Sequence, residues 1–305
     1  MVPVLISVYK RKYHFFRLID SLLMNTESTE TTLYIVSDGP RNDEETILIN
    51  DIRDEIRRIK GFLEVIPIFR DKNLGSHLSV SNAIDFVFQR SARLIFIEDD
   101  NVVSNNFLAY QNSALEYYES NKSIFSISGY NFPIKIKDQN QKGVYFFKGF
   151  SAWGVGLWKD RWDNISFNWE NCGSLEYLKQ HEYAIKKELG ESVFNTIKKM
   201  HFHRVNYVDA IICYHCFLNN VVSVFPEITK VRNYGHDGLG EHGGKTNVYL
   251  YQELDYDNKI FVFPQNIIQD LEIKNKVIKY FKLSFKSKML IFLRSIYHSI
   301  NRFHF

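Results

Sequence analysis

Strand-like and helix-like segments alternate through the first 130 residues, and this order constrains the fold more than any other feature of the sequence. Short apolar runs typical of buried strands lie at 4–8, 33–36, 63–69, 94–97 and 124–128. Segments with helical spacing lie between them, at 13–24, from 42 onward, at 76–88 and at 104–118. Such alternation predicts an α/β fold, with a mostly parallel sheet covered by helices on both faces.

Local signals give some of the expected helix positions. Asn42 followed by Glu45 resembles a helix start, and Ser104 is the expected N-cap of the fourth helix. Four isoleucines of the second helix are expected near one face: Ile47, Ile52, Ile56 and Ile59.

Three consecutive acids follow the fourth apolar run directly. Glu98, Asp99 and Asp100 come after residues 94–97, so they belong at the carboxyl end of a strand, where α/β proteins bind ligands. Neighbouring carboxylates repel one another, and a divalent cation relieves that repulsion. A solvated acidic turn is the simpler alternative.

Two other strand ends are expected at the same sheet edge. Arg11 follows the first strand and can hold phosphate oxygens, while Asp38 follows the second and can accept from a base or a ribose. Each has a plainer explanation, since Arg11 can be a surface charge and Asp38-Gly39-Pro40 is a good turn sequence.

The second half has a looser pattern with a few distinctive segments. Trp153 is flanked by small residues that leave an indole face open, and Trp158 and Trp162 have the spacing of one buried helix face. Asp209 begins an apolar helix, either as its N-cap or as a catalytic base. Residues 233–245, rich in Gly and His, form either a lid that closes over a phosphate or a surface loop.

Charge is unevenly distributed along the 305 residues. The net charge is +3, and residues 271–305 hold six Lys and two Arg against one acid, so the first 270 residues carry −4. The basic, apolar tail is expected to lie on an anionic membrane surface, with a packed helix pair as the alternative. Nucleic-acid binding fits poorly, because the body is acidic.

Three cysteines are too few for a disulfide framework in a chain of this length, which favours a reducing compartment. Cys213 and Cys216 have metal-like spacing, but no second ligand pair accompanies them, so small buried residues on a helix are the favoured explanation. Neither a signal peptide nor a membrane-spanning stretch is recognised, so we predict a cytoplasmic protein, or one held peripherally at the inner face of the cytoplasmic membrane.

The ordered motifs resemble those of GT-A nucleotide-sugar glycosyltransferases. The similarity is strongest to the inverting branch typified by N-acetylglucosaminyltransferase I and to bacterial glycosyltransferases of surface-polysaccharide gene clusters. It covers about residues 3–246 and is carried by Asn73-Leu-Gly75, Glu98-Asp99-Asp100 with Phe107, Ile127-Ser-Gly129-Tyr-Asn131, Trp153-Gly154 through Trp162, the Asp209 helix with Asn219-Asn220, and the loop after Arg232-Asn233.

The resemblance implies a role for each matching residue. Asp209 matches the catalytic base and Asp100, in a DXD-like motif, the ligand of Mn²⁺ or Mg²⁺. The nucleotide-sugar-binding residues would be Arg11, Asp38, Glu98, Asp99, Trp153 and His242. Val155 departs from the aromatic residue that bacterial relatives often carry, and the loop around His242 matches only loosely.

The resemblance implies a GT-A domain, which we expect over 1–270, and the change in charge predicts a basic amphipathic tail over 271–305. Within the domain, 1–130 would bind the nucleotide sugar and 131–270 the acceptor. The expected activity is metal-dependent, inverting transfer from a nucleoside diphosphate sugar, with a UDP-sugar favoured, to a glycan or lipid-linked glycan, in bacterial surface polysaccharide synthesis.

Two alternative functions fit the sequence less well. A nucleotidyltransferase needs a glycine-rich, basic segment after its first strand, and residues 9–13 contain no glycine. A non-catalytic glycan-binding protein of the same fold has no need of Asp100 and Asp209.

Overall fold

The computed structural model describes residues 1–136, 143–236, 248–255 and 260–282. The strands are β1 (Val4–Val8), β2 (Thr32–Ser37), β3 (Glu64–Phe69), β4 (Arg93–Glu98), β5 (Asn101–Val103), β6 (Ile124–Ser128), β7 (Val144–Phe147), β8 (Val155–Trp158), β9 (Val222–Pro226) and β10 (Val231–Asn233). The helices are α1 (Lys12–Leu23), α2 (Asp43–Ile56), α3 (Ser76–Phe88), α4 (Phe107–Tyr117), α5 (Lys159–Trp162), α6 (Leu175–Gln180), α7 (Glu182–Leu189), α8 (Glu191–His203), α9 (Val208–Leu218) and α10 (Leu271–Tyr280).

Eight strands form one sheet in the order β3-β2-β1-β4-β8-β6-β9-β7. β1 pairs in parallel with β2 and β4, and β2 with β3, whereas β8 is antiparallel to both of its neighbours. β9 is parallel to β6, and β7 closes the edge antiparallel to β9. The mostly parallel α/β sheet predicted from the sequence is confirmed.

Strands of the sheet centre bury side chains on both faces. In β4, Ile95 and Ile97 belong to one hydrophobic cluster, and Leu94 and Phe96 belong to the other. Helices α1, α2 and α4 cover the first face, while α3 and α7–α9 cover the second. Burying each such side chain contributes about 1.5–3 kcal/mol, which explains the near-continuous apolar runs in the sequence.

A second, smaller sheet joins distant parts of the chain. β5 follows the acidic triplet directly and pairs antiparallel with β10, so that Asn101 lies opposite Asn233. This ladder places the segment after β10 against the end of β4.

Two details of the predicted helices are wrong. Ile47 is 73% exposed, and α2 instead buries Ile49 with Ile52 and Ile56, which have the i, i+3, i+7 spacing of one helix face. Helix α4 begins at Phe107 after Asn106, and the buried Ser104 hydroxyl donates to Asn106 Oδ1 (2.8 Å) instead of capping the helix.

The beginning of the basic tail is part of the folded body. Helix α10 starts at Leu271, after Asp270 caps it by accepting from the Ile273 amide (3.0 Å). Val277 is fully buried, and Lys274 donates to Glu188 of α7 (2.9 Å). Residues 283–305 lie outside the described part, so membrane contact by the tail stays a prediction. Within the described ranges, no helix has both the length and the apolarity needed to cross a bilayer.

Candidate active site

Three polar segments meet at the carboxyl edge of the sheet. The registers pair Val8 of β1 with Ser37 of β2, and Ser7 of β1 with Glu98 of β4. Arg11, Asp38 and the acidic triplet therefore follow strands that end at one level. This edge is where a doubly wound sheet binds its ligand.

Arg11 bridges the two buried aspartates of the triplet. It lies just before α1, its Nη2 donates to Asp99 Oδ1, and its Nη1 lies 2.9 Å from Asp100 Oδ2. The side chains of Asp99 and Asp100 are 6% and 11% exposed, whereas that of Arg11 is 27% exposed. Arg11 is thus accessible to an anion from the solvent side.

The other oxygen of Asp100 is held by the small sheet. Asn233 Nδ2 donates to Asp100 Oδ1 (2.7 Å), and the Tyr234 amide donates to the Asp100 carbonyl (2.8 Å). A Cβ added to Gly235 would overlap Asp100 Oδ2, so only glycine fits there without movement. Sequence reasoning noted Asn233 as a loop residue and missed this contact, because the two partners are 133 positions apart.

Negative charge at the triplet is only partly compensated. Burial, followed by the charges of Asp100, Asp209 and Asp99, raises the pKa of Glu98 to about 8. Burial also raises the pKa of Asp99 to about 6, although Arg11 opposes the shift. The mutual repulsion of these acids is what a bound cation relieves.

The donor set at Asp100 fits a hard divalent cation only in part. Carboxylate oxygens suit Mg²⁺ and Mn²⁺. In the described part of the chain, however, no three Asp, Glu, His or Cys residues converge as a metal site. A cation at Asp100 would therefore complete its shell with water and with the phosphates of a substrate, as Mg²⁺ commonly does.

The Asp38 carboxylate is engaged by backbone amides. Its oxygens accept from Gly39 (3.0 Å), Leu74 (3.0 Å) and Gly75 (2.9 Å). Asn73 completes the contact by donating to the Gly39 carbonyl (2.8 Å). Asp38 therefore joins the loop after β2 to the start of α3, and contact with a nucleotide base stays a prediction for it.

A cavity of about 650 Å³ opens beside the triplet, and its lining includes Glu98, Trp153 and Asp209. Because β8 is antiparallel to β4, its beginning lies at the carboxyl end of β4 and places Trp153 there. The indole makes edge contacts with Tyr130 and Tyr249, at ring-centroid distances of 4.6 and 5.1 Å. Trp153 is therefore part of an aromatic wall.

Asp209 faces this cavity from the first turn of α9. The N-cap of α9 is Tyr207, so Asp209 is not the cap that local sequence allowed. Among the described residues, no hydrogen bond to the Asp209 carboxylate is found. Its side chain is reached by solvent through the cavity, yet the surrounding protein raises its pKa to about 6. A carboxyl group with this pKa is largely ionised at pH 7 and can accept a proton.

The remaining features predicted from the sequence are the lid with His242, the pair of tryptophans and the pair of cysteines. His242 lies outside the described residues, as do residues 237–245 of the proposed lid. Trp158 and Trp162 are both buried but do not share a helix face, because Trp158 ends β8 and the two rings belong to different clusters. Cys213 and Cys216 are free, buried residues of α9.

Comparisons with known proteins give likenesses in fold. No protein-family model matches the chain, and no curated protein matches it significantly. A mannosyltransferase from Pyrobaculum calidifontis, solved with GDP-Man and Mn²⁺, is 10% identical with a TM-score of 0.39, over 54% of this chain and 47% of that one. TarS 1–349 of S. aureus is 14% identical with a TM-score of 0.38, over 58% and 52%.

The galactosyltransferase LgtC, solved with donor and acceptor sugar analogues, is 8% identical with a TM-score of 0.36, over 71% of this chain and 70% of that one. The chain matches about half the length of the mannosyltransferase and of TarS 1–349.

Proposed function

We propose that this protein is a metal-dependent, inverting glycosyltransferase that moves a sugar from a nucleoside diphosphate sugar to a hydroxyl of a glycan acceptor. The observation that carries the proposal is the placement of Glu98 and Asp209 in one cavity at the carboxyl edge of the sheet. Asp100, two residues after Glu98 in the chain, is paired with Arg11. Carboxylates, a cation and an ionisable base are what this reaction requires.

Arg11 and the triplet are proposed to hold the donor. The exposed side of the Arg11 guanidinium can pair with diphosphate oxygens, and Glu98 and Asp99 can accept from hydroxyls of the ribose and the sugar. A divalent cation held by Asp100, Mn²⁺ or Mg²⁺, would neutralise the charge that develops on the departing diphosphate. Trp153 and its aromatic neighbours offer an apolar wall to a sugar ring.

Asp209 is proposed to act as the general base. As the acceptor oxygen forms a bond to the anomeric carbon, its proton passes to the Asp209 carboxylate and the bond from that carbon to the diphosphate oxygen breaks. The nucleoside diphosphate leaves on the face opposite the attacking oxygen, so the anomeric configuration is inverted. Asp209 is suited to this role because no described hydrogen bond occupies its carboxylate.

A panel of sugar nucleotides tests the proposal. The protein is incubated with each sugar nucleotide in Mn²⁺, in Mg²⁺ and in EDTA, and release of nucleoside diphosphate is measured. We expect slow hydrolysis of one or a few donors in metal and none in EDTA. The anomeric configuration of a transferred sugar, read by NMR, tests inversion. Donor binding without cleavage under any condition would favour the non-catalytic alternative.

A further inference from the structure

We propose that the end of α8 and the turn after it, residues 198–207, form a docking surface for an anionic lipid membrane. This surface, called the α8 patch, is separate from the basic tail. Its sequence is Lys-Lys-Met-His-Phe-His-Arg-Val-Asn-Tyr.

The α8 patch exposes large apolar side chains. Phe202, Val205 and Tyr207 are 68%, 45% and 41% exposed, within six consecutive positions. Clustered exposed apolar residues mark an interaction surface more often than isolated ones do.

The charged side chains of the patch are all basic, although Lys198 also interacts electrostatically with Glu182 of α7. Residues 192–208 contain Lys198, Lys199 and Arg204 together with two histidines, and no acid. Glu170, on the segment that touches α8 through Trp169 and His201, accepts a hydrogen bond from Asn168 (3.1 Å). Basic residues around exposed aromatic side chains complement the headgroups and acyl boundary of an anionic leaflet.

The turn that carries these residues is built to present them. Arg204 has a left-handed backbone (φ 55°), which reverses the chain after α8. The Val205 amide donates to the Met200 carbonyl (3.3 Å), and Asn206 Oδ1 accepts from the Trp169 amide (2.8 Å). These hydrogen bonds hold the backbone of the turn, on which Phe202, Val205 and Tyr207 are exposed.

The patch leads directly into the candidate active site. Asn206, Tyr207 and Val208 line the same cavity as Asp209. A membrane in contact with residues 198–207 would therefore lie beside the mouth of that cavity. An acceptor carried by a membrane lipid could then reach the proposed base, and this consequence alone rests on the proposed function.

A fluorescent label at one position separates this surface from the tail. All three native cysteines are buried, so Phe202→Cys gives one accessible thiol for an environment-sensitive dye in the full-length chain. Ile47→Cys, on α2 and 73% exposed, is the matched control. Each labelled protein is mixed with vesicles of phosphatidylglycerol and phosphatidylcholine, with pure phosphatidylcholine vesicles, and with soluble polyphosphate.

We expect a blue shift of the dye at position 202 with the anionic vesicles alone, and none at position 47. Adding Lys199→Glu and Arg204→Glu should weaken that response about tenfold or more in apparent vesicle affinity, because each basic residue near an anionic surface contributes to binding.

No shift at position 202, or equal shifts at both positions, would overturn the proposal. A response to polyphosphate equal to the vesicle response would assign the patch to a soluble polyanion instead. Because none of these readouts requires turnover, failure of the patch and failure of the proposed function are distinguishable.

Discussion

At the residue scale, Asp209 combines access to solvent with a raised pKa. It lies in a cavity wall, where water reaches the carboxyl but much of its hydration is replaced by protein. The first turn of a helix favours a negative charge, so the burial effect outweighs the helix dipole in setting the pKa. The ionisation of such a base should be visible in the pH dependence of the transfer rate.

In saturating metal, which lowers the pKa values of the triplet by relieving its mutual repulsion, the pH dependence of transfer should show a single acidic limb from Asp209. The carboxyl group must be ionised to accept a proton, and its pKa is about 6. We expect kcat/KM to rise about tenfold per pH unit below pH 6 and to level above it. Initial rates from pH 4.5 to 8 in saturating metal measure this profile. A profile that still rises steeply above pH 7 would assign the base to another group.

Gly235 should be required for metal affinity. Its substitution by alanine would push a methyl group into Asp100 Oδ2, without any positive-φ strain at that position. We expect the apparent affinity for Mn²⁺ to fall about tenfold or more in Gly235→Ala, as for other residues that orient a metal ligand. Activity as a function of Mn²⁺ concentration measures the change.

Gly143→Ala is the matched control for this prediction. An added Cβ at position 143 would lie 3.5 Å from Glu227 Oε1, which is ordinary contact. Unchanged Mn²⁺ dependence in both variants would show that Asp100 does not bind the cation.

At the element scale, local sequence predicted the first half of the molecule well. β1, β6 and α3 lie where apolar spacing placed them, because buried parallel strands and amphipathic helices leave strong local patterns. β8 was not predicted, since Val155–Trp158 is short, contains glycine and depends on pairing with β4 and β6. Its position is decided by tertiary contacts that no local window contains.

Helix α10 should behave as part of the folded body. Val277 is fully buried against the first core cluster, and Lys279 of the same helix is exposed. We expect Val277→Ala to lower the free energy of unfolding by about 2 kcal/mol, the cost of a cavity left by a branched side chain. Lys279→Ala should change it by less than about 0.5 kcal/mol. Chemical denaturation measures both, and equal values would mean that α10 is not packed in solution.

At the scale of the whole molecule, the site is assembled from distant parts of the chain. Arg11 and the acidic triplet were predicted from residue type and strand position, because parallel strands bring their ends to one edge. Asp209 was assigned as a base by the resemblance, since local sequence alone favoured an N-cap. The Asn233 contact with Asp100 could not be predicted, since it depends on the β5–β10 ladder. Asp38 was identified as important, but its bonds to the α3 loop were visible only in three dimensions.

Nucleotide and metal should stabilise the whole protein together. Because a cation at Asp100 would take other ligands from phosphates, UDP or another nucleoside diphosphate should raise the melting temperature more with Mn²⁺ than without it. The shift at saturating ligand should be about 5 °C or more. Asp100→Asn should remove the Mn²⁺-dependent part, while Asp54→Asn, on the exposed side of α2, should keep it. Equal nucleotide shifts with and without Mn²⁺ would contradict a shared site.

The central claim is that donor binding and proton removal belong to different residues of one site. It is tested most directly by measuring donor affinity and turnover on the same preparation of Asp209→Asn, with Asp163→Asn, an exposed acid paired with Lys159, as control. We predict that Asp209→Asn binds the donor within about twofold of the native protein but loses at least about a hundredfold in transfer rate. Near-native transfer by Asp209→Asn would contradict the account.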